Sequence, residues 1–266
     1  MTPEQLGDAA VRLYEAEKSC SQIGLLSGQY PGMTMDDAYA VQSALVDYKV
    51  KDGRLVKGWK IGLTSRAMQQ ALNIDIPDSG ILFDDMFFEN GATVPANRFI
   101  QPRVEAEIAF VFKDDLPNTN VTLFDVLNAT DYICPALEIL DTRIVRKDPE
   151  TGNIRTVVDT IADNAANAGI VLGGFPRKPT ELDLRWVGAI VSRNAQVEET
   201  GLGAGVLNHP AQGIVWLANR LAQYNQTITA GQVVISGSFI RPVETSHQTT
   251  ITADYGELGS VSVFFE

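Results

Sequence analysis

A chain of 266 residues, 45% hydrophobic and 20% charged, has ample material for a sizeable core, and its length fits one or two domains. The formal net charge of -12 and a sequence pI near 4.6 exclude the basic footprint that nucleic acid or an anionic membrane surface demands. Two cysteines, Cys20 and Cys134, make no disulfide framework, so a reducing cytoplasm is the expected compartment.

The N-terminus, Met1-Thr2-Pro3-Glu4, lacks the basic start and apolar run of a signal peptide. Thr2 with Gln5 fits a capping box, Pro3 suits the first helical turn, and Leu6, Ala9, Ala10 and Leu13 share one apolar face. A second helix starts at Thr34 with Asp37, turns Ala38, Val41, Leu45 and Val46 inward, and stops before Gly53. Beyond it, short alternating segments predict strands over 56–62, 104–112, 132–140, 168–172, 186–192, 232–239, 249–253 and 260–265. Short helices are expected over 65–72, after Thr122, over 160–167 and over 208–221. The uncharged stretch 201–219 carries Asn208, His209, Pro210 and Gln212 at its centre, too polar for lipid. The organisation is therefore α+β: a helical N-terminal region, 1–55, packed on a β-rich unit, 56–266, in one continuous domain.

Some motifs carry no chemistry. Gly201-Leu202-Gly203-Ala204-Gly205-Val206 puts valine where a dinucleotide fingerprint needs its third glycine, so it reads as a loop feeding the next helix. His209 and His247 are too few and too far apart for a zinc site, and His209 suits a helix N-terminus. Cys134 reads as a buried small hydrophobe, and Trp59, Trp186 and Trp216 as core or pocket wall.

The informative residues are acids in unusual places. In a strand, Arg103, Glu105 and Glu107 share one face while Val104, Ala106, Ile108 and Phe110 share the other. That pattern describes either a solvated outer face or two carboxylates that need a cation between them. Glu138 is the sole ionisable residue in Ile133-Cys134-Pro135-Ala136-Leu137-Glu138-Ile139-Leu140. Such a carboxylate is paired, protonated or metal-bound; the salt-bridge partners in view are Arg143 and Arg103. Three carboxylates without histidine or cysteine select a hard ion, Mg²⁺ or Mn²⁺. Lys60 alternates onto the face of Gly58 and Gly62, where small residues leave room for a ligand, and it can stabilise an oxyanion or shuttle a proton. Asp78, in the turn Pro77-Asp78-Ser79-Gly80, and Asp84 are acid–base candidates or turn formers.

Gly58-Trp59-Lys60-Ile61-Gly62-Leu63-Thr64-Ser65, Arg103-Val104-Glu105-Ala106-Glu107, Pro135-Ala136-Leu137-Glu138, the run 159–167 and Gly237-Ser238-Phe239 together resemble the 2-oxo-4-alkenoate hydratases of the fumarylacetoacetase superfamily. The likeness covers nearly the whole chain and includes Asp84-Asp85-Met86-Phe87-Phe88 and the run 204–210. It implies a mixed β-roll with helices around it, with 56–266 as the catalytic unit, and a ring-like homo-oligomer, typically a decamer. It implies Mg²⁺ or Mn²⁺ on Glu105, Glu107 and Glu138, with Lys60, Asp78 and Asp84 catalytic and Lys60, Arg103 and Ser238 binding substrate. The implied reaction is hydration of a 2-oxo dicarboxylate such as 2-oxohept-4-ene-1,7-dioate, whose far carboxylate would meet Arg66 or Arg241. Ile240 stands where threonine is expected, and Ala162 where a related sequence has serine; both are expected near the pocket. Rival readings are a pentenoate hydratase, the 4-oxalocrotonate decarboxylase of the same family, a C–C hydrolase and a non-catalytic partner subunit. A hydrolase needs a base to activate water, and no well-placed histidine is in view.

Overall fold

The computed structural model describes every residue except 67, 68, 71–73, 75 and 118, so the expected helix over 65–72 lies partly outside the described residues. Three helices open the chain: α1 (Pro3–Ser19), the short α2 (Leu26–Gln29) and α3 (Met35–Lys51). Both long ones begin as the capping residues dictate: Thr2 and Gln5 close one capping box, Thr34 and Asp37 the other. Ala9, Ala10 and Leu13 of α1 meet Ala38, Val41 and Leu45 of α3, and Ile144 and Ile161 from later in the chain complete that core. Lys49, fully buried on α3, is held by Glu17 at 2.5 Å.

The strands are β1 (Val56–Gly62), β2 (Asp78–Phe83), β3 (Phe87–Phe88), β4 (Ala92–Val94), β5 (Arg103–Phe112), β6 (Thr130–Leu140), β7 (Asn167–Leu172), β8 (Gly188–Arg193), β9 (Gln196–Leu202), β10 (Val233–Ile235), β11 (Val243–Glu244), β12 (Thr249–Asp254) and β13 (Ser260–Phe265). Helix α4 (Leu123–Ala129) precedes β6, α5 (Val157–Ala162) precedes β7, and α6 (Pro210–Ala222) follows β9. One sheet runs β2-β1-β10-β5-β6-β7-β3, with β11 also on β5; the other runs β4-β13-β12-β8-β9. The main core lies between them: Val104, Ala106, Ile108 and Phe110 of β5 pack with Ile251, Val261 and Val263 of the smaller sheet and with Ile214 and Leu217 of α6. Among the described residues no helix is long and apolar enough to cross a membrane.

Several expected elements change. The turn expected at Pro77-Asp78-Ser79-Gly80 instead opens a fully buried strand, Asp78–Phe83, paired antiparallel to β1. The run 232–239 pairs only as far as Ile235, because Gly237 turns at φ 110°. The helix expected over 160–167 ends at Ala162, and Asn164, Ala165 and Ala166 take φ values of 51°, 51° and 60°. That left-handed turn is held by Arg143, which pairs with Asp163 at 2.5 Å and donates to the Asn167 carbonyl at 3.2 Å. Strand β9 was absent from the expected set; it folds back on β8 through Asn194 and Ala195, both at positive φ.

Candidate active site

The second face of the large sheet carries the site. Glu105 lies opposite Glu138 in the β5–β6 ladder, and Glu107 opposite Ala136, so strict alternation brings all three glutamates to one side. Lys60 pairs with Ile235, and Ile235 with Ala109, which carries the lysine to the same side across β10. Asp78 pairs with Gly62 at the adjoining edge. Glu107 and Glu138 are fully buried, Lys60 and Asp78 nearly so, and the solvated-face reading of β5 does not hold.

Each glutamate offers a carboxylate oxygen within 4.8 Å of the other two. In Glu138 one oxygen is anchored: the Asn167 amide donates to Oε1 at 2.8 Å, and Lys60 Nζ lies 3.4 Å from it. In Glu107 the Gly237 N–H donates to Oε2 at 2.8 Å. The remaining oxygens, Glu138 Oε2 and Glu107 Oε1, are buried without a hydrogen-bond partner, as is Asp78 Oδ1. Buried carboxylate oxygens left bare are costly, and a divalent cation between the three glutamates satisfies them together. An all-oxygen donor set of this kind suits a hard ion such as Mg²⁺ or Mn²⁺.

The electrostatics agree. Burial, then the charge of Glu138, pushes the Glu105 carboxyl up to about 8. Burial, then Glu138 and Glu105, raises Glu107 well above the usual carboxylate range. Burial raises Asp78 as well, against the pull of Lys60. For Lys60 burial disfavours the charge, but Glu138, Asp78, Glu105 and Glu107 outweigh it and hold the ammonium above its ordinary value. The acidic neighbours thus favour the charged form of Lys60 in the metal-free site. Its Nζ also donates to the Ala165 carbonyl at 3.0 Å.

The glycines serve different purposes. A Cβ on Gly62 would sit 2.2 Å from Asp78 Oδ1 and 3.0 Å from Lys60 Nζ, so this glycine makes room for the acid. Gly58 instead clears the Val233 backbone and lets β1 pair with β10; it provides no ligand space.

A cavity of about 410 Å³ opens onto Glu105, with Gly62, Thr64, Ser238 and Ile240 in its walls. Ser238 Oγ accepts from the Ile240 N–H at 3.2 Å and donates to the Ile240 carbonyl at 2.9 Å, which folds the 238–240 turn over the cavity. Arg241 lies on its edge, paired with Glu199 at 2.6 Å. Arg103 is half-buried two residues from Glu105 on the same strand; burial and then Arg146 lower its pKa. Arg66 is exposed, one residue beyond the cavity-lining Ser65.

Four expectations are corrected. Asp84 does not join the cluster: it is exposed beyond the far end of β2, where its Oδ1 accepts from the Leu55 N–H at 3.0 Å and the Asp85 N–H at 3.1 Å. Asp78 sits in a strand, not a turn. Glu138 pairs with Lys60, because Arg143 is spent on Asp163. Ala162 packs in the N-terminal helical core rather than on the cavity. His209 caps α6 by accepting from the Ala211 N–H at 3.1 Å, and Cys134 is buried with its thiol pushed up to about 11, both as expected. Sequence reasoning had not singled out Asn167 or the Gly237 N–H. Asn167 stood in a quoted motif; the Gly237 donor is a backbone group that side-chain identity does not announce.

No family model matches the chain. It is 55% identical over 256 residues to "2-oxo-hept-4-ene-1,7-dioate hydratase" of Escherichia coli, covering 96% of each chain. It is 42% identical over 266 residues to "2-keto-4-pentenoate hydratase" of Paraburkholderia xenovorans (strain LB400), covering 100% of this chain and 97% of the relative. The solved 4-oxalocrotonate decarboxylase from Pseudomonas putida G7, complexed with magnesium and adipate, superposes with a TM-score of 0.93 at 34% identity, over 100% of this chain and 99% of that one. A structure described as a fumarylacetoacetate hydrolase family protein from Yersinia pestis CO92 matches at a TM-score of 0.58 and 11% identity, covering 80% of this chain and 94% of that one, a likeness of fold alone. With identity of this extent along its full length, the chain belongs to the family of 2-oxo-4-alkenoate hydratases and 4-oxalocrotonate decarboxylases.

Proposed function

We propose that this protein is a divalent-metal-dependent hydratase that converts 2-oxohept-4-ene-1,7-dioate to 4-hydroxy-2-oxoheptanedioate. The observation that carries it is the buried Glu105-Glu107-Glu138 cluster beside Lys60, in a chain so similar to the hept-4-ene-dioate hydratase. Glu105, Glu107 and Glu138 would hold Mg²⁺ or Mn²⁺, and the relative bound to magnesium supports that choice. When bound, the ion supplies Lewis-acid stabilisation of negative charge on the 2-oxo acid.

The chain's own residues do the rest. Lys60, kept charged by its acidic neighbours, offsets the negative charge of the glutamates and of the incoming 2-oxo acid. Asp78, whose burial favours its protonated form, is assigned to proton transfer. Loss of a proton at C3 and gain of one at C5 move the double bond to C3=C4; water then adds its hydroxyl at C4 and a proton returns to C3. Arg103 and Ser238 are assigned to substrate binding, with Arg241 or Arg66 toward the far carboxylate. Burial of the site limits competing reactions with bulk water. We further place the protein in the cytoplasm, where the free thiols of Cys20 and Cys134 are at home, as a ring-like homo-oligomer, a decamer by family resemblance. The whole chain forms one continuous domain in this reading, with 1–55 as its helical N-terminal region and 56–266 as the catalytic unit.

The test is a product assay on 2-oxohept-4-ene-1,7-dioate with and without Mg²⁺, following substrate absorbance and CO₂. Metal-dependent loss of absorbance without CO₂ is the expected result. CO₂ release moves the chain to the decarboxylase branch, and absence of turnover revives the partner-subunit reading.

A further inference from the structure

Strands β1 and β2, which carry Lys60 and Asp78, have a second face. Where Lys60 and Asp78 turn toward the glutamates, their neighbours Trp59, Ser79 and Ile81 line a separate cavity of about 370 Å³ between α3 and α6. One wall is apolar, Val46, Val56, Ile81 and Leu221 with the rings of Trp59 and Tyr224, while Gln42, Ser43, Ser79 and Gln226 line the rest. Into this setting α6 places Arg220. Its guanidinium lies 4.1 Å from the Tyr39 ring centre, 5.7 Å from that of Tyr224 and 5.8 Å from that of Trp216. Among the described residues it has no carboxylate or hydrogen-bond acceptor, so aromatic faces position a half-buried cation whose donors are left over. Tyr39 adds a buried hydroxyl beside Ser79. The exposed Asp47, on the cavity's rim, is the one carboxylate along its wall.

A guanidinium set beside aromatic rings can take a carboxylate in two parallel hydrogen bonds, and an apolar wall facing a set of polar groups is how small-molecule sites are built. We propose that this cavity is a second ligand site, on the opposite face of β1 and β2 from the glutamate cluster, that takes a small carboxylate with a flat apolar body. The carboxylate sits on Arg220 and the body lies against Trp59, Ile81 and Tyr224.

The probe is 4-fluorobenzoate, titrated into the Mg²⁺-loaded protein and followed by ¹⁹F NMR. One equivalent should bind saturably, and Arg220→Met should weaken binding at least tenfold while Mg²⁺-dependent turnover is kept. A second variant, Ser43→Trp, fills the cavity from the exposed side of α3 and should block the probe with Arg220 intact. Binding that survives both variants places the probe elsewhere and overturns the proposal, as does failure to bind up to the solubility limit. Equal binding of the uncharged 4-fluorobenzamide refutes the role of Arg220. Displacement by equimolar inorganic phosphate refutes the role of the apolar wall.

Discussion

Metal affinity should rise steeply with pH. A carboxylate must be ionised to ligate a cation, yet in the cation-free protein Glu105 holds its proton up to about pH 8, and burial beside Glu138 and Glu105 raises Glu107 well above the usual carboxylate range. Binding therefore expels protons. Between pH 6 and pH 8, ionisation of Glu105 alone raises the affinity about 50-fold or ~2.3 kcal/mol, close to a factor of ten per unit of pH at the acid end. Glu107, also raised, steepens the dependence. Carboxyls at the ordinary value of 4.5 would leave the affinity flat over the same range. Isothermal titration of Mg²⁺ at pH 6, 7 and 8, in two buffers of different ionisation enthalpy, measures both the affinity and the protons released. An affinity independent of pH with no proton release would refute the picture of mutually repelling, desolvated glutamates. The same groups set a stability trend in the metal-free protein. Between pH 4.5 and 8 the folded state binds more protons at Glu105 than the unfolded state, so stability falls as pH rises through that window. Mg²⁺ should accordingly raise Tm more at pH 8 than at pH 6.

Other outcomes follow from single contacts. Lys60→Met should lower kcat by about 10²–10³ at saturating Mg²⁺, the cost of one oxyanion-stabilising donor, with titrated metal binding retained; an unchanged kcat would make Lys60 a structural residue only. Gly62→Ala puts a methyl group 2.2 Å from Asp78 Oδ1 and must displace that acid, so turnover should fall while circular dichroism stays native. Glu17→Gln strips the buried Lys49 of its partner and should cost about 3–5 kcal/mol in urea unfolding, with much of the loss recovered by adding Lys49→Met. In the unmodified protein Glu17 is lowered to about 2: burial opposes its charge but Lys49, Arg143 and Arg54 outweigh that opposition. Its contribution is complete above pH 4.5 and is lost as pH falls toward 2, which an acid unfolding series should show as a loss absent in the double variant.

What was legible in the sequence is what strand periodicity controls. Alternation in 103–110 separated Glu105 and Glu107 from the core-facing Val104, Ala106 and Ile108, and the ladder keeps that separation. Glu138 stood out because it was alone among apolar residues, and Lys60 because it alternated with glycines. Pairing partners were not legible. Arg143, near Glu138 in sequence, is taken by Asp163, and Lys60 arrives from a strand nearly eighty residues earlier. Asp78 and Asp84 looked alike, as acids near turn residues, yet β2 buries the first at its start while the second lies past its end, capping exposed backbone. The end of β10 also escaped, since Gly237 breaks a run whose composition favours continuation.

The left-handed turns are where the site gains its precision. Glu107 and Glu138 each have one oxygen fixed by a neutral donor and one left bare, and both donors sit at the ends of turns. Gly237 adopts φ 110°, where a Cβ would lie 2.3 Å from Thr64 Oγ1, so the turn that aims its N–H at Glu107 needs glycine. Asn167 begins β7 after three consecutive left-handed residues, a strained run that Arg143 pins through Asp163 and through the Asn167 carbonyl itself. Fixing one oxygen of a carboxylate orients the other before a cation arrives, which is how outer partners tune a metal site. Glu105 has no such anchor among the described residues and is the glutamate that faces the cavity. Two of the three carboxylates are thus held by the fold, and the third, Glu105, stands on the open side toward the cavity, the arrangement the proposed metal site calls for.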